Sequence, residues 1–371
     1  MSKRLFLATS LLVLSACSTA PVADTTPVPT SPPEQVQAPQ DITPVLPNPD
    51  DFTRYTRVTL DLMDTVTQFI SYNHDETEFE AFYDLVYHEM IRLHQLFNTF
   101  DAFEGVNNLY TVNEMAGIAP VEVDPVVIDL IKMCIDAYDW SHGAVDITLG
   151  PVVEIWHNIR YDDNPVLPTE AELEAASQLV NIHDIIIDES ASTLFLAKEG
   201  MRLDVGAIAK GLNVQLAANL AVEAGYDNFL ISAGGDLTAV GYNLSNADGN
   251  WVSGITNPDD PDNNNNLIDI VRLNNISLVT SGDYQRFTYI DGVRYHHIID
   301  PATLFPSQGY RSVTVIHTHA GIADGLATAL FILPLEEAMA VAKEMDAQAL
   351  WVLADGSIAV TDGYSVMSDR F

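Results

Sequence analysis

The sequence predicts an α+β fold over residues 51–371, and three observations carry that prediction. Helical periodicity runs through "TEFEAFYDLVYHEMIRLHQLFNTFD" (77–101), "DPVVIDLIKMCIDAY" (124–138) and "TEAELEAASQLV" (169–180). Short apolar runs rich in β-branched residues, "DIIID", "TLFLA", "NFLISA", "LIDIVRL", "SVTVIH" and "ALWVLA", read as strands. These helices and strands interleave without a regular βαβ period, which favours α+β over a doubly wound sheet.

In chain order, residues 1–17 read as a lipoprotein signal peptide. Lys3 and Arg4 precede an apolar run from Leu5 to Leu14, too short to span a bilayer, and "LSAC" places small residues before Cys17. Cys17 is therefore the expected lipidation site, which would anchor the chain on the periplasmic side of a bacterial membrane, with the inner membrane as the expected one. Residues 18–50 hold nine Pro, no Gly and no aromatic residue. Such a segment cannot bury enough apolar surface to fold and reads as a disordered tether. The formal net charge is −36, from 52 acids against 16 Lys and Arg. That balance argues against nucleic acid and against adhesion to anionic lipid.

Within the folded part, the 77–101 helix carries His88 and His94 six residues apart, a spacing that does not align them for a metal, so both read as surface or satisfied groups. On the 124–138 helix, Val127, Leu130, Ile131, Cys134, Ile135 and Tyr138 share one face, which makes Cys134 a core residue. With Cys17 lipidated, no partner remains for it to form a disulfide. The 169–180 helix opens on a capping box, Thr169 with Glu172. "NPDDPDNNNN" (257–266) reads as a polar loop between strands.

Five segments are too particular for scaffold alone. "AVDITLGPVVEIW" (144–156) sets Asp146 before a Gly-Pro turn. "RLDVGAIAKGLNVQLAANLA" (202–221) passes from a strand into a helix with glycines around Lys210, a turn that suits a phosphate, although it is not a Walker loop. "LISAGGDLTAVG" (230–241) breaks at Gly234-Gly235, and a tight turn with an Asp cap explains it equally well. "VTSGDYQRFTYIDGVRYHHIIDP" (279–301) crowds Arg, His, Asp and aromatic groups together. "GIADGLATALFIL" (321–333) stacks Thr328 one turn after Asp324, where two oxygens can hold a hard cation or simply cap a helix.

Taken in order, these segments resemble the ApbE family, the FAD:protein FMN transferases, over essentially the whole folded part. "LDVGAIAKG", "AGGD", "TSGDYQRF", "HHIIDP" and "ADGLATAL" are similar to the family's motifs. The resemblance implies an ApbE-like α+β fold, with mixed β-sheets and packed helices forming a flavin cleft between two closely associated subdomains. It further implies Mg²⁺-dependent transfer of FMN from FAD to a Thr or Ser hydroxyl of an exported acceptor, with release of AMP. Carried over residue by residue, the metal ligands would be Asp324, Thr328 and the carbonyl of Ala207. The FAD contacts would be Met63, Ala144, Val145, Asp146, Asp204, Lys210 and Ile299. Lys210 would add positive charge, and His297 would serve as general base, unless it is a scaffold residue bonded through Asp300; His296 is the weaker candidate. The family-level acceptors are subunits of the sodium-pumping NADH:quinone reductase (Nqr) or of the Rnf complex.

Three departures stand out. Asp64 replaces the usual Gly after Met63, Ala207 replaces a common Gly, and "DPATLFPS" lacks the Gly that normally follows Thr303. Two rival readings keep the same cleft: a Mg²⁺-dependent FAD pyrophosphatase giving FMN and AMP, and a non-enzymatic FAD-binding lipoprotein.

Overall fold

The structure is a computed structural model that describes residues 46–63, 65–263 and 265–371. Cys17, the signal peptide, tether residues 18–45 and Asp64 lie outside the described residues. The last tether residues belong to the fold: Pro49–Asp51 form a 3₁₀ turn capped by Asn48, and the Leu46 side chain lies over Gly249.

β1 (Thr53–Leu62) and β2 (Thr65–Asn73) pair as a hairpin that leads into α1 (Glu76–Phe97). Asp75 caps α1, and Phe79, Phe82, Val86, Met90 and Leu93 are buried at helical spacing. There follow α2 (Leu109–Glu114), β3 (Val121–Glu122), α3 (Pro125–Trp140), α4 (Gly150–Arg160), α5 (Glu170–Ser177), β4 (Ile185–Asp188), β5 (Thr193–Leu196) and α6 (Ala209–Glu223). The capping box at Thr169 and Glu172 is present, and Cys134 is fully buried, with burial pushing its thiol pKa up. Two local expectations fail. Gly150 and Pro151 open α4 rather than forming a turn, as the fixed φ of Pro suits a first helical turn. Residues 201–205 form no strand; the Asp204 N–H instead donates to the Ile147 carbonyl at 2.8 Å.

The second half is mostly strand: β6 (Phe229–Ala233), β7 (Asp236–Val240), β8 (Trp251–Thr256), β9 (Leu267–Leu273), β10 (Ile276–Gly282), β11 (Phe287–Ile290), β12 (Val293–His296), β13 (Ile299–Asp300), β14 (Phe305–Pro306) and β15 (Tyr310–His317). It closes with α7 (Ala320–Ile332), α8 (Leu335–Glu344), β16 (Gln348–Leu353) and β17 (Ile358–Val360). An eight-stranded sheet, in the order β1-β2-β6-β7-β10-β15-β16-β17, is the backbone of the fold. Each strand pairing among the described residues is antiparallel, so the expected mixed sheets are not found. Tight hairpins join β1 to β2, β6 to β7 and β16 to β17, whereas longer excursions carrying helices, the β8–β9 ribbon or the strands β11–β14 join the other neighbours of the sheet.

The central strands of the sheet are buried on both faces. Val279, Val315 and Trp351 join the core beneath α6 and α7, whereas the adjacent Leu278, Ile316 and Val352 join a second core under β8 and β9. This is the two-residue alternation of a pleated strand. α7 lies inside the protein and is buried nearly all round, so its apolar residues show no amphipathic stripe. Residues 46–371 form one compact unit, and the expected division into two subdomains does not appear at this level.

Candidate active site

A cavity of about 350 Å³ opens where the N-terminal end of α6 and the Asp324, Thr328 and Ile332 face of α7 meet the ends of β2, β7 and β10. Its volume falls in the range of small-molecule sites. Met63, Ala144, Val145, Asp146, Asp204, Ala207, Lys210, His297, Ile299, Asp324 and Thr328 all line it. The structure thus brings together every described site residue proposed from the sequence.

Gly211 explains how two helix ends approach closely enough. A Cβ there would sit 2.3 Å from the Ala320 carbonyl oxygen and 2.7 Å from the Asp324 Cβ. Without it, α6 packs directly on α7. The Gly211 N–H, in the first turn of α6 where no intrahelical carbonyl is available, donates to Asp324 Oδ2 at 2.9 Å.

Lys210 Nζ lies 2.9 Å from Asp236 Oδ2 and 3.2 and 3.3 Å from the two oxygens of Asp324. Both carboxylates are nearly inaccessible to water, whereas the ammonium is half-buried. Burial together with Asp236 raises the Asp324 pKa to about 7, against the pull of Lys210. Burial alone would lower the Lys210 pKa, but the two carboxylates outweigh it and hold the ammonium charged. Burial also raises the pKa values of Asp236 and Asp146.

His297 has a buried Nδ1 without a hydrogen-bond partner. Burial first, then Arg160, His296 and Arg286, lower its pKa to about 3, so the imidazole is neutral in the free protein. The scaffold role through Asp300 finds no support in the contacts. Asp300 accepts from Ala302 N–H at 2.8 Å and Thr303 Oγ1 at 3.1 Å, within its own turn. His296 is the scaffold residue: its Nδ1 accepts from Ile298 N–H at 3.2 Å, so Nε2 carries the proton and donates to the Ser307 carbonyl at 2.7 Å.

Several lining residues escaped the sequence reading. Val153, His157 and Arg160 face the cavity from α4 at positions i, i+4 and i+7, a spacing that could have revealed them once Gly150 was known to start the helix. Arg286 lay inside a quoted motif without a role. Burial, opposed by Tyr161 but reinforced by Arg286, lowers the Arg160 pKa, which places two guanidinium groups in one cavity of an acidic protein. His94 also lines the cavity, unlike His88, whose Nδ1 meets the Asp84 carbonyl of its own helix.

Among the described residues no group of three or more His, Cys, Asp or Glu is placed to hold a metal. Asp324, Thr328 and Ala207 line the cavity with a carboxylate, a hydroxyl and a carbonyl, the carboxylate being held by Lys210 Nζ and the Gly211 N–H. That hard oxygen set fits a cation such as Mg²⁺, which commonly takes one or two carboxylates and completes its shell with water and phosphate.

The model of the ApbE family matches residues 63–351. The chain belongs to the ApbE family. The "FAD:protein FMN transferase" of Treponema pallidum is 34% identical over 279 residues, 71% of this chain and 76% of that protein. The one from Vibrio cholerae is 31% identical over 238 residues, 64% of this chain and 70% of its relative. Among solved structures, the ApbE protein of Thermotoga maritima aligns with a TM-score of 0.76 at 27% identity, covering 86% of this chain and all of that one. The Vibrio cholerae flavin transferase ApbE aligns at 0.72 and 24% identity, a likeness of fold. This ApbE-family chain therefore has the α+β architecture of flavin transferases.

Proposed function

We propose that this chain transfers FMN from FAD to a Thr or Ser hydroxyl of an exported acceptor protein, releasing AMP. One observation carries the reading: a cavity in an ApbE-family chain of net charge −36 gathers Lys210, Arg160 and Arg286 beside the oxygen set of Asp324, Thr328 and Ala207. Three cations reaching into one cavity, beside the carboxylates of Asp146, Asp204, Asp236 and Asp324, can pair with the oxygens of a diphosphate.

In this reading FAD binds with its diphosphate toward Lys210 and the α6–α7 junction and its flavin toward Met63, Ala144–Asp146, Asp204 and Ile299. The acceptor oxygen attacks the FMN-side phosphorus, the bond from that phosphorus to the bridging oxygen breaks, and AMP leaves with the electron pair. The hydroxyl proton passes to the neutral imidazole of His297. Such transfers depend on positioning and charge neutralisation more than on covalent chemistry. Bound at Asp324, Thr328 and the Ala207 carbonyl, Mg²⁺ would offset charge on the diphosphate. Lys210 and Arg160 would orient the same oxygens.

The acceptors we propose are subunits of the Nqr or Rnf complexes, reached from a periplasmic anchor at Cys17, with the inner membrane the expected one. The test is intact-mass measurement of a purified acceptor after incubation with the protein, FAD and Mg²⁺. Addition of FMN supports transfer; free FMN with an unmodified acceptor points to FAD hydrolysis, and unchanged FAD to a carrier.

A further inference from the structure

A second concavity, of about 660 Å³, adjoins the cavity and shares Thr65, Gly234, Thr280, Gln285 and Arg286 with it. Its floor is a row of directly opposed residues on one face of the large sheet. Val58 pairs with Gln68, Gln68 with Ser232, Ser232 with Leu237, and Leu237 with Leu278. Opposed residues point to the same face. Among the described residues no α-helix supplies a buried side chain to the core on that face; the β8–β9 ribbon covers it, with Tyr364 beneath, and gives the groove its other wall through Ser253 and Thr256.

The row crosses five strands, so it is roughly 19 Å long at the usual strand spacing, enough for about six extended residues. It leads toward the cavity along the strands: from Gln68 and Val66 to Thr65 on β2, and from Leu278 to Thr280 on β10. None of the described residues lining the groove is acidic, in a chain with 52 acids, and among them Arg286 at the junction carries the one charge. Val58 and Val66 remain 53% and 56% exposed there, apolar surface that burial under a partner would stabilise.

We propose that this groove seats the acceptor polypeptide, which lies across the sheet as an extended, uncharged segment and presents its hydroxyl to the cavity past Arg286. The inference rests on the transferase reading, which requires a macromolecular substrate to enter a cavity already holding a nucleotide. Continuity with that cavity, a span that holds about six extended residues and the lack of acidic side chains among its described lining argue for this occupant.

The test uses the full chain, FAD, Mg²⁺ and, as probe, the soluble domain of an Nqr subunit carrying the acceptor hydroxyl. Ser253→Trp fills the groove from the ribbon, and Val58→Asp places a carboxylate in it from the sheet edge. Each should raise the KM for the acceptor about tenfold or more, as disruption of a central contact does, while FAD affinity stays near wild type. Ser253→Ala and Val58→Leu should behave as wild type. Unchanged acceptor KM in both disruptive variants overturns the proposal. So does a parallel fall in FAD affinity with Val58→Asp, which would assign the groove to the nucleotide. If Ser253→Trp fails to fold, Val58→Asp decides, since its site is largely exposed. A wild-type protein that binds FAD but leaves the acceptor unmodified would instead sink the transferase reading, and the groove with it.

Discussion

Asp324 and His297 are the residues on which the proposed chemistry depends most directly, and each yields its own expectation. Asp324→Ala removes the one carboxylate of the oxygen set, so Mg²⁺-dependent turnover should fall by about 10²-fold or more, the scale seen when a preorganised charge partner is lost. Lys210 keeps Asp236 at 2.9 Å, so the fold should survive; the far-ultraviolet dichroism spectrum and turnover, measured together, check both halves. Wild-type turnover in Asp324→Ala would contradict the assignment. For His297 the unperturbed imidazole would produce a rise in rate near pH 6.5. Burial and two nearby guanidinium groups hold its pKa at about 3, so His297 should add no step of its own to kcat/KM for FAD, and a rise near pH 7 belongs to Asp324, whose pKa is about 7. Bound diphosphate would raise that pKa, which makes the imidazole a better base only once FAD is in place. His297→Ala should lower transfer about 10²–10⁴-fold with FAD affinity within a few-fold; parallel loss of both would return His297 to scaffold.

At the level of elements, the α6–α7 crossing makes a prediction opposite in sign to the usual rule. Replacing a helical Gly by Ala ordinarily stabilises by about 1 kcal/mol. At Gly211 the added Cβ would meet backbone atoms of Ala320 at 2.3 and 2.8 Å, and overpacking of that kind costs roughly 1–3 kcal/mol. Gly211→Ala should therefore lower the thermal midpoint and shift Lys210 off Asp324, with a matching loss of turnover. A rise in midpoint with full activity would show that the helices can separate freely. The Gly in "AKG" was visible in the sequence, but its reason was not, because the clash partner lies more than a hundred residues away. The segment before it misled for a related reason: "RLDVG" has the composition of a strand, yet its backbone pairs with Ile147 rather than with a neighbouring strand.

For the whole molecule, charge is the dominant feature. A net −36 is self-repelling, and salt screens such repulsion over about 10 Å at 0.1 M. The thermal midpoint should rise as NaCl increases toward 1 M; a midpoint independent of salt would show that the acids are locally compensated. The N-terminal boundary gives a second expectation. A chain beginning at Leu46 should fold and bind FAD like the full-length protein, whereas one beginning at Thr53 should melt at lower temperature, having lost Leu46 over Gly249 and the Asn48 cap.

Caps, helical periodicity and β-branched runs are local, so the sequence by itself determined α1, α3, α5 and the strands β4, β5, β6, β9, β15 and β16, and its ordered motifs determined the family. It could also nominate the residues of the site, since each sits in a short recognisable segment. Only the tertiary structure decided that Met63, Asp146, Lys210, His297 and Asp324 meet in one cavity, and that Asp236 holds the far side of Lys210. Only it could set the His297 pKa near 3 and expose a groove built from one residue on each of five strands. Those properties arise from burial and from contacts between distant segments. A pattern of neighbouring residues reports the first weakly and the second not at all.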